Sequence, residues 1–124
     1  MKVLIVDDSE VVRERLRTML SELKGVEVIG QAESSKEAIG AIRKLKPDAV
    51  ILDIQMSGGN GIKVLEKIKE EMPSTKVIML TNYPYPQYRK KCMDAGADYF
   101  FDKSTEFEKV IEVVKNMVVD YQVK

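Results

Sequence analysis

The chain has 124 residues, which is long enough for one domain with a single hydrophobic core and too short for a second folded module. Its 20 lysines and arginines balance 20 aspartates and glutamates, so we expect no direct binding to nucleic acid and no attraction to an anionic membrane. The lack of histidine excludes phosphohistidine chemistry and most zinc sites, and the single cysteine, Cys92, excludes an internal disulfide. No signal peptide or membrane-spanning run is recognisable, so a cytoplasmic location is expected.

Five apolar runs follow one another along the chain, beginning near residues 3, 26, 49, 77 and 99. Continuous apolar runs of this length are typical of parallel strands that are buried on both faces of a sheet. Each stretch between two runs is long enough for one amphipathic helix, and a last helix can follow the fifth run. The pattern therefore predicts an α/β domain over residues 1–124 with a doubly wound, five-stranded parallel sheet.

Three segments outside the apolar runs contain residues that predict their local structure. The stretch 54–61 contains three glycines and predicts a mobile loop. Pro84 and Pro86 restrict both themselves and the residues before them, so the fourth helix should be short. Thr105 and Glu108 have the spacing of a capping box, which predicts that the last helix begins directly after Thr105.

Polar side chains come at or just beyond the ends of four of the five runs. Asp7 and Asp8 follow the first run, Asp53 the third and Thr81 the fourth, and Lys103 lies just beyond the fifth. Ligands of open α/β sheets bind beyond the carboxyl ends of the strands, so these groups are expected to converge at one edge. Taken singly, each residue is more often a helix cap, a turn residue or a solvated charge, but their joint occurrence favours a site.

Three carboxylates facing one ammonium group form an unbalanced cluster. At an effective dielectric constant near 20, each like-charge contact at ~4 Å is unfavourable by ~4 kcal/mol, so protons or a divalent cation must enter. Oxygen ligands favour Mg²⁺, which completes its coordination with water and phosphoryl oxygens. An aspartate can then attack phosphorus as a nucleophile, while Lys103 neutralises one phosphoryl oxygen and the Thr81 hydroxyl donates to another.

This arrangement resembles the receiver domain of two-component response regulators. The resemblance spans the whole chain and includes Gly61, eight positions after Asp53, and the Ala95-Gly96-Ala97-Asp98 turn before the fifth strand. It implies a flavodoxin-like fold with strand order 2-1-3-4-5, and a single receiver domain over residues 1–124 with no output domain. It also implies a signalling switch that assists its own phosphorylation rather than an enzyme.

The resemblance implies a role for each site residue. Asp53 is the phosphoacceptor, Thr81 contacts the phosphoryl group, and Phe100 is the switch aromatic, although core packing is an equally good interpretation of Phe100. The implied ligands of Mg²⁺ are Asp7 through water, Asp8, Asp53 and the backbone carbonyl of Gln55. The implied partners are a sensor histidine kinase, which supplies the phosphoryl group, and an unknown downstream protein, which binds the surface of the fourth helix, fifth strand and fifth helix. A phosphorylation-dependent homodimer is compatible with this surface.

Three positions depart from the family's usual pattern. Ser57 and Ser104 stand where prolines are common, which predicts a softer loop after Asp53 and a trans Lys103–Ser104 peptide. Asn82 replaces the usual small residue after the threonine. Gln55 and Tyr83 should flank the path of the water that hydrolyses the aspartyl phosphate, and the bulk of Tyr83 predicts slow self-dephosphorylation.

Two other functions compete with the switch. One is an aspartyl-phosphate phosphatase or phosphotransferase that acts on small phosphoesters. Such enzymes usually place a second acid two residues after the nucleophile, and that position holds Gln55. The other is a receiver that never takes phosphate, but no essential residue of the site is missing.

Overall fold

The computed structural model describes residues 1–123, with side chains as far as Tyr121. The strands of its main sheet, numbered in chain order, are β1 Lys2–Val6, β2 Glu27–Ala32, β3 Ala49–Leu52, β4 Lys76–Thr81 and β5 Tyr99–Asp102. The helices are α1 Glu10–Ser21, α2 Ser35–Leu45, α3 Gly61–Glu71, α4 Pro86–Asp94 and α5 Phe107–Val123. Two short antiparallel segments between β3 and α3, Gln55–Met56 and Gly59–Asn60, form what we call the ribbon.

The main sheet is parallel and has the order β2-β1-β3-β4-β5, which confirms the predicted fold class and strand order. Helices cover both faces, as the continuous apolar runs require. One core cluster includes Leu16 of α1 and Val114 of α5, and the other includes Ile42 of α2, Leu65 of α3 and Cys92 of α4. In residues 1–123, no helix combines the length and the apolar character needed to cross a membrane.

The strand register places two of the aspartates side by side. Val6 at the end of β1 lies opposite Leu52 at the end of β3, so Asp7 and Asp53 leave neighbouring strands at the same level. The Asp53 N–H donates to the carbonyl of Val6 at 3.0 Å, which continues the ladder by one residue. The predicted convergence of polar residues at the carboxyl edge is therefore a direct result of parallel pairing.

The opposite, amino edge of the sheet is held by Asp98, which precedes β5. Its Oδ2 accepts hydrogen bonds from Lys69 Nζ at 3.0 Å and from the Val77 N–H at 2.8 Å. Lys69 Nζ also donates to the Thr75 carbonyl at 2.7 Å. The network joins the end of α3 to the start of β4 and to the turn before β5, and all of these hydrogen-bonding groups belong to the protein chain itself.

The segments after β3 and after β5 show features that the sequence did not predict. The stretch 54–61 was predicted to be a mobile loop, and in the structure part of it forms the ribbon, whose backbone is paired. The Thr105–Glu108 capping box is wrong: α5 begins at Phe107, and the Thr105 hydroxyl donates instead to Asp102 Oδ2 at 3.2 Å. Asp102 also accepts the N–H and the hydroxyl of Ser104, so residues 102–105 form a turn, and Thr105 belongs to this turn rather than to the start of the helix.

Two other local predictions are confirmed. The fourth helix is short, with nine residues, and begins at Pro86 without a side-chain cap. No peptide bond in the described part of the chain is cis, so the Lys103–Ser104 bond is trans, as expected for a bond that does not precede proline.

Candidate functional site

Lys103 lies between two buried aspartates at the carboxyl edge. Its Nζ is 2.6 Å from Asp7 Oδ2 and 3.0 Å from Asp53 Oδ2, and its side chain is 7% exposed. Burial alone would lower the pKa of Lys103, but the hydrogen bond and charge of Asp7 and the charge of Asp53 outweigh it and leave the pKa raised. The ammonium group is therefore charged at neutral pH and neutralises part of the acidic cluster.

The charge of Asp53 is less well compensated by its surroundings than the charge of Lys103, its ion-pair partner. Burial raises the pKa of Asp53, Lys103 opposes that rise, and the neighbouring charge of Asp7 adds to it. Its Oδ1 is buried and accepts no hydrogen bond from any described residue. Because an unpaired buried oxygen is costly, this atom is a ready ligand for a cation or a phosphoryl group.

The third aspartate completes a cluster that fits a metal ion. Asp7, Asp8 and Asp53 each offer a carboxylate oxygen, and these atoms lie within 4.8 Å of one another. An all-oxygen donor set with an unpaired buried oxygen matches the preference of Mg²⁺ for hard ligands. Asp8 differs from the other two because it is exposed, and its Oδ2 accepts the N–H of Ser57 in the ribbon at 3.2 Å.

Thr81 is fully buried at the end of β4, next to the strand that leads to Lys103. Its carbonyl accepts the Lys103 N–H at 2.9 Å, and its Oγ1 accepts the Tyr83 N–H at 2.9 Å. Because Oγ1 is used there as an acceptor, the hydroxyl proton is left for an outside acceptor. The β4–β5 pairing thus places Thr81 and Lys103 on adjacent strand ends, as the sequence predicted.

The remaining predicted site residues lie around this cluster rather than in it. Gln55 is exposed in the ribbon, and Tyr83 is 38% exposed in the β4–α4 loop. Phe100 is buried in the core, and the guanidinium carbon of Arg89 lies 4.8 Å from its ring centre. The structure therefore brings oxygens of the three aspartates within 4.8 Å of one another, pairs Asp7 and Asp53 with Lys103, and places Gln55 and Tyr83 on two flanking segments.

Sequence reasoning missed two groups that support the cluster. Arg13 of α1 donates through Nη1 to the Asp7 carbonyl at 2.7 Å and through Nε to Gln31 at 3.1 Å. The other group is the N–H of Ser57, which donates to Asp8. Arg13 is one of three arginines in α1, and nothing in the sequence singles it out for such a role; a backbone N–H carries no signal in the sequence at all.

Gly61 brings the start of α3 against the end of β3. Its N–H donates to the Ile54 carbonyl at 2.6 Å, and a Cβ at this position would overlap the carbonyl oxygen of Asp53. We expect Gly61→Ala to lower the free energy of unfolding by about 3 kcal/mol, because backbone must move to admit the methyl group. Urea unfolding monitored by circular dichroism measures this loss.

Gly40 in α2 provides the matched control for that substitution. A Cβ at Gly40 meets no atom of another part of the described chain within 4 Å. Gly40→Ala should therefore raise stability by about 0.5–1 kcal/mol, the usual helix preference for alanine over glycine. Equal effects of the two substitutions would contradict the close approach at Gly61.

The fold and the site together define a doubly wound α/β domain with an acidic pocket at the carboxyl edge of its sheet. The response regulator receiver domain family matches residues 3–115. The chain therefore belongs to this family and is a receiver domain of a two-component response regulator.

Relatives and solved structures agree with this assignment. The chain is 36% identical over 114 residues to the response regulator protein VraR of Staphylococcus aureus, covering 92% of this chain and 54% of the relative. It is similar to the response regulator domain of Thermotoga maritima CheB, with a TM-score of 0.84, 29% identity, and coverage of 97% of this chain and 94% of that one. The CheX–CheY–BeF3–Mg complex from Borrelia burgdorferi gives a TM-score of 0.80 and 30% identity, covering 92% of this chain and 89% of that one. The chain spans about half the length of the VraR relatives it matches.

Proposed function

We propose that this receiver is a phosphorylation switch in which Asp53 accepts a phosphoryl group from a phosphohistidine of a sensor histidine kinase. The observation that carries the proposal is the unpaired, buried Oδ1 of Asp53 in a cluster with Asp7, Asp8 and Lys103. That oxygen is the natural nucleophile, because no described residue occupies its lone pairs with a hydrogen bond.

The transfer needs no histidine in the receiver. An Asp53 oxygen forms a bond to phosphorus as the P–N bond of the donor breaks, and the electron pair of that bond leaves with the imidazole of the kinase, which is protonated on its other ring nitrogen and so departs as a neutral group. Lys103 Nζ, already 3.0 Å from Asp53, neutralises charge on the arriving phosphoryl oxygens. The Thr81 hydroxyl, whose oxygen already accepts the Tyr83 N–H, donates a hydrogen bond to another phosphoryl oxygen.

The same cluster would hold Mg²⁺. Its proposed ligands are the carboxylates of Asp7 (through water), Asp8 and Asp53 and the backbone carbonyl of Gln55. When bound, the ion offsets the negative charge of the carboxylates and of the phosphoryl group. The BeF3 and Mg named in the Borrelia burgdorferi CheY complex, a protein of the same fold, support this assignment.

The output of the switch would be a change in protein binding at the surface of α4, β5 and α5. In this proposal Thr81 and Phe100 link the phosphoryl group to that surface, because they lie on the neighbouring strands β4 and β5. Tyr99 and Phe101 stack with ring centres 6.0 Å apart on β5, an edge strand of the sheet. The partner would be a downstream protein or, in a homodimer, a second phosphorylated copy.

Mass spectrometry after incubation with acetyl phosphate and Mg²⁺ tests the proposal. One phosphoryl group should appear, and peptide mapping should place it on Asp53. It should be absent when EDTA replaces Mg²⁺ and in Asp53→Asn. Label that persists in Asp53→Asn, or continuous hydrolysis of small phosphoesters, would contradict a switch that is phosphorylated on Asp53.

The lifetime of the phosphorylated form provides a separate prediction. Tyr83 follows Thr81 by two residues and is partly exposed, so its ring should restrict the approach of water to the phosphoryl group. We expect Tyr83→Ala to dephosphorylate several-fold faster than the unaltered chain. The decay of the phosphorylated protein after removal of the donor, followed by intact-mass spectrometry, measures this change.

Tyr85 is the matched control for Tyr83. Its ring centre lies 6.4 Å from that of Tyr83 and its side chain is more exposed, but it is two residues farther from Thr81. Tyr85→Ala should leave the decay rate close to that of the unaltered chain. An unchanged or slower decay in Tyr83→Ala would remove the role assigned to that ring.

A further inference from the structure

The fourth helix, α4, is attached to the rest of the domain by few side chains. It begins at Pro86 without a side-chain cap and has no acidic residue in its first turn. Cys92 is the one buried residue among its nine described residues, whereas α3 buries several and is capped by Asn60. A contact between any further α4 side chain and the sheet therefore matters more here than it would on a firmly packed helix.

Arg89 makes such a contact. Its side chain is exposed, but its guanidinium carbon lies 4.8 Å from the centre of the Phe100 ring, within the ~6 Å range of a cation–π contact. The same charge acts on the loop before α5. The pKa of Glu106 is lowered first by the Asp102 N–H, which it accepts at 3.1 Å, and Arg89 lowers that pKa further. The guanidinium thus extends from α4 across the end of β5.

The Phe100 ring lies between this guanidinium and the core. Phe100 is 3% exposed and belongs to the core cluster that includes Met79, its partner in the β4–β5 pairing. Thr81, which contacts the phosphoryl group in the proposed function, follows Met79 by two residues on the same strand. Because Arg89 is exposed and the ring is not, a Phe100 ring that turned towards solvent would first have to displace the guanidinium.

A cation–π contact is weak in absolute terms and still large for a switch. An exposed contact of this kind favours one side-chain position over another by about two- to fivefold. The two positions of a switching side chain must be close in free energy, because a ligand shifts the equilibrium only by its difference in affinity for the two states. A bias of this size would therefore change the resting state of the switch measurably.

We infer that Arg89 is a positioning residue for the switch, whose guanidinium holds the Phe100 ring in its buried position. It thereby sets the share of unphosphorylated molecules in which the ring is turned out towards the surface of α4, β5 and α5. The inference rests on the proposed function for the role of Phe100. The acidic pocket does not depend on the contact: another residue at position 89 would leave the pocket intact and change only the bias of the ring.

Two substitutions separate the contact from the charge. Arg89→Gln removes the cation above the ring, and Lys91→Gln removes the same charge from the same helix. Lys91 is exposed, and no ring in the described part of the chain lies beneath its ammonium group. Carbon relaxation dispersion at Cζ of Phe100, which lies on the ring axis and does not sense ring flips, measures the population of a second ring position.

Without any phosphoryl donor, Arg89→Gln should raise the population of the second ring position about two- to fivefold over the unaltered chain. Lys91→Gln should leave it unchanged. Phe101, whose ring stacks on Tyr99 rather than under Arg89, is the internal reference and should be the same in all three proteins. Equal Phe100 populations in the two variants would refute the inference. A parallel change at Phe101 would show that β5 loosens as a whole, which would also overturn the specific role of Arg89.

Phosphorylation distinguishes failure of this inference from failure of the proposed function. After incubation with acetyl phosphate and Mg²⁺, Arg89→Gln should still carry one phosphoryl group on Asp53, because the pocket does not use the guanidinium. Loss of phosphorylation in Arg89→Gln alone would place Arg89 in the pocket and contradict its role at the ring. If the unaltered chain took no phosphoryl group, the proposed function would fail, while the ring populations would still test the Arg89 contact.

Discussion

Lys103→Met should lower the free energy of unfolding by about 3–5 kcal/mol in metal-free buffer, because it leaves two buried carboxylates without their shared cation. The side chains of Asp7, Asp53 and Lys103 are 3%, 7% and 7% exposed, so water screens their charges poorly. Part of the loss should be recovered by Mg²⁺, which would supply positive charge at the same place. Urea unfolding with and without the ion measures both effects.

Lys90 offers the matched control for Lys103. It forms an ion pair with Asp94 at 2.9 Å, but the two side chains are 78% and 67% exposed. Water screens an exposed pair of this kind, so Lys90→Met should change stability very little. Similar losses in Lys90→Met and Lys103→Met would show that the Lys103 pairs do not form in a buried setting.

Asp53→Asn should raise the free energy of unfolding at pH 7 by about 1–3 kcal/mol in metal-free buffer, since it removes the cost of a buried, unpaired charged oxygen. The sign follows from the raised pKa of Asp53, whose largest cause is burial. A carboxylate with a raised folded-state pKa destabilises the fold above its unfolded pKa, and the penalty fades as pH falls through the folded-state pKa. The stability of the unaltered chain relative to Asp53→Asn should therefore increase as the solution becomes acidic.

Asp98→Asn makes the same chemical change at a carboxylate that is satisfied by hydrogen bonds. Its carboxylate accepts hydrogen bonds from Lys69 and from the Val77 N–H, so the substitution should destabilise the protein. Thermal unfolding of both variants between pH 4 and pH 8 compares them directly. A destabilised Asp53→Asn would mean that its pairing with Lys103 outweighs its burial.

The main sheet and the core of the site could be predicted because both follow from the strand pattern. The apolar runs that became β1, β3 and β4 are almost entirely buried, and the aspartates after β1 and β3 meet because parallel strands end at the same edge. Lys103 could be placed for the same reason. These predictions needed no knowledge of side-chain contacts.

The parts that could not be predicted depend on backbone groups or on competition between local hydrogen bonds. The Thr105 cap was wrong because the turn closed on Asp102 by Ser104 and Thr105 continues past Thr105, so that α5 begins only at Phe107, and sequence spacing does not show how far this turn extends. The ribbon and the contact from Ser57 to Asp8 depend on a main-chain N–H, which every residue except proline carries. Arg13 reaches the Asp7 carbonyl across the start of α1, a contact that requires the three-dimensional arrangement.

The Asp98 network at the amino edge contrasts with the acidic pocket at the carboxyl edge. At the amino edge, Lys69 and the Val77 N–H meet the carboxylate at fixed short distances, and the interaction is complete within the chain. At the other edge, negative charge exceeds positive charge, and Oδ1 of Asp53 has no hydrogen-bond partner among the described residues. The two ends of the same strands thus differ in how their carboxylates are satisfied, so a bound cation would add stability at the carboxyl end and not at the amino end, where the chain already supplies the partners.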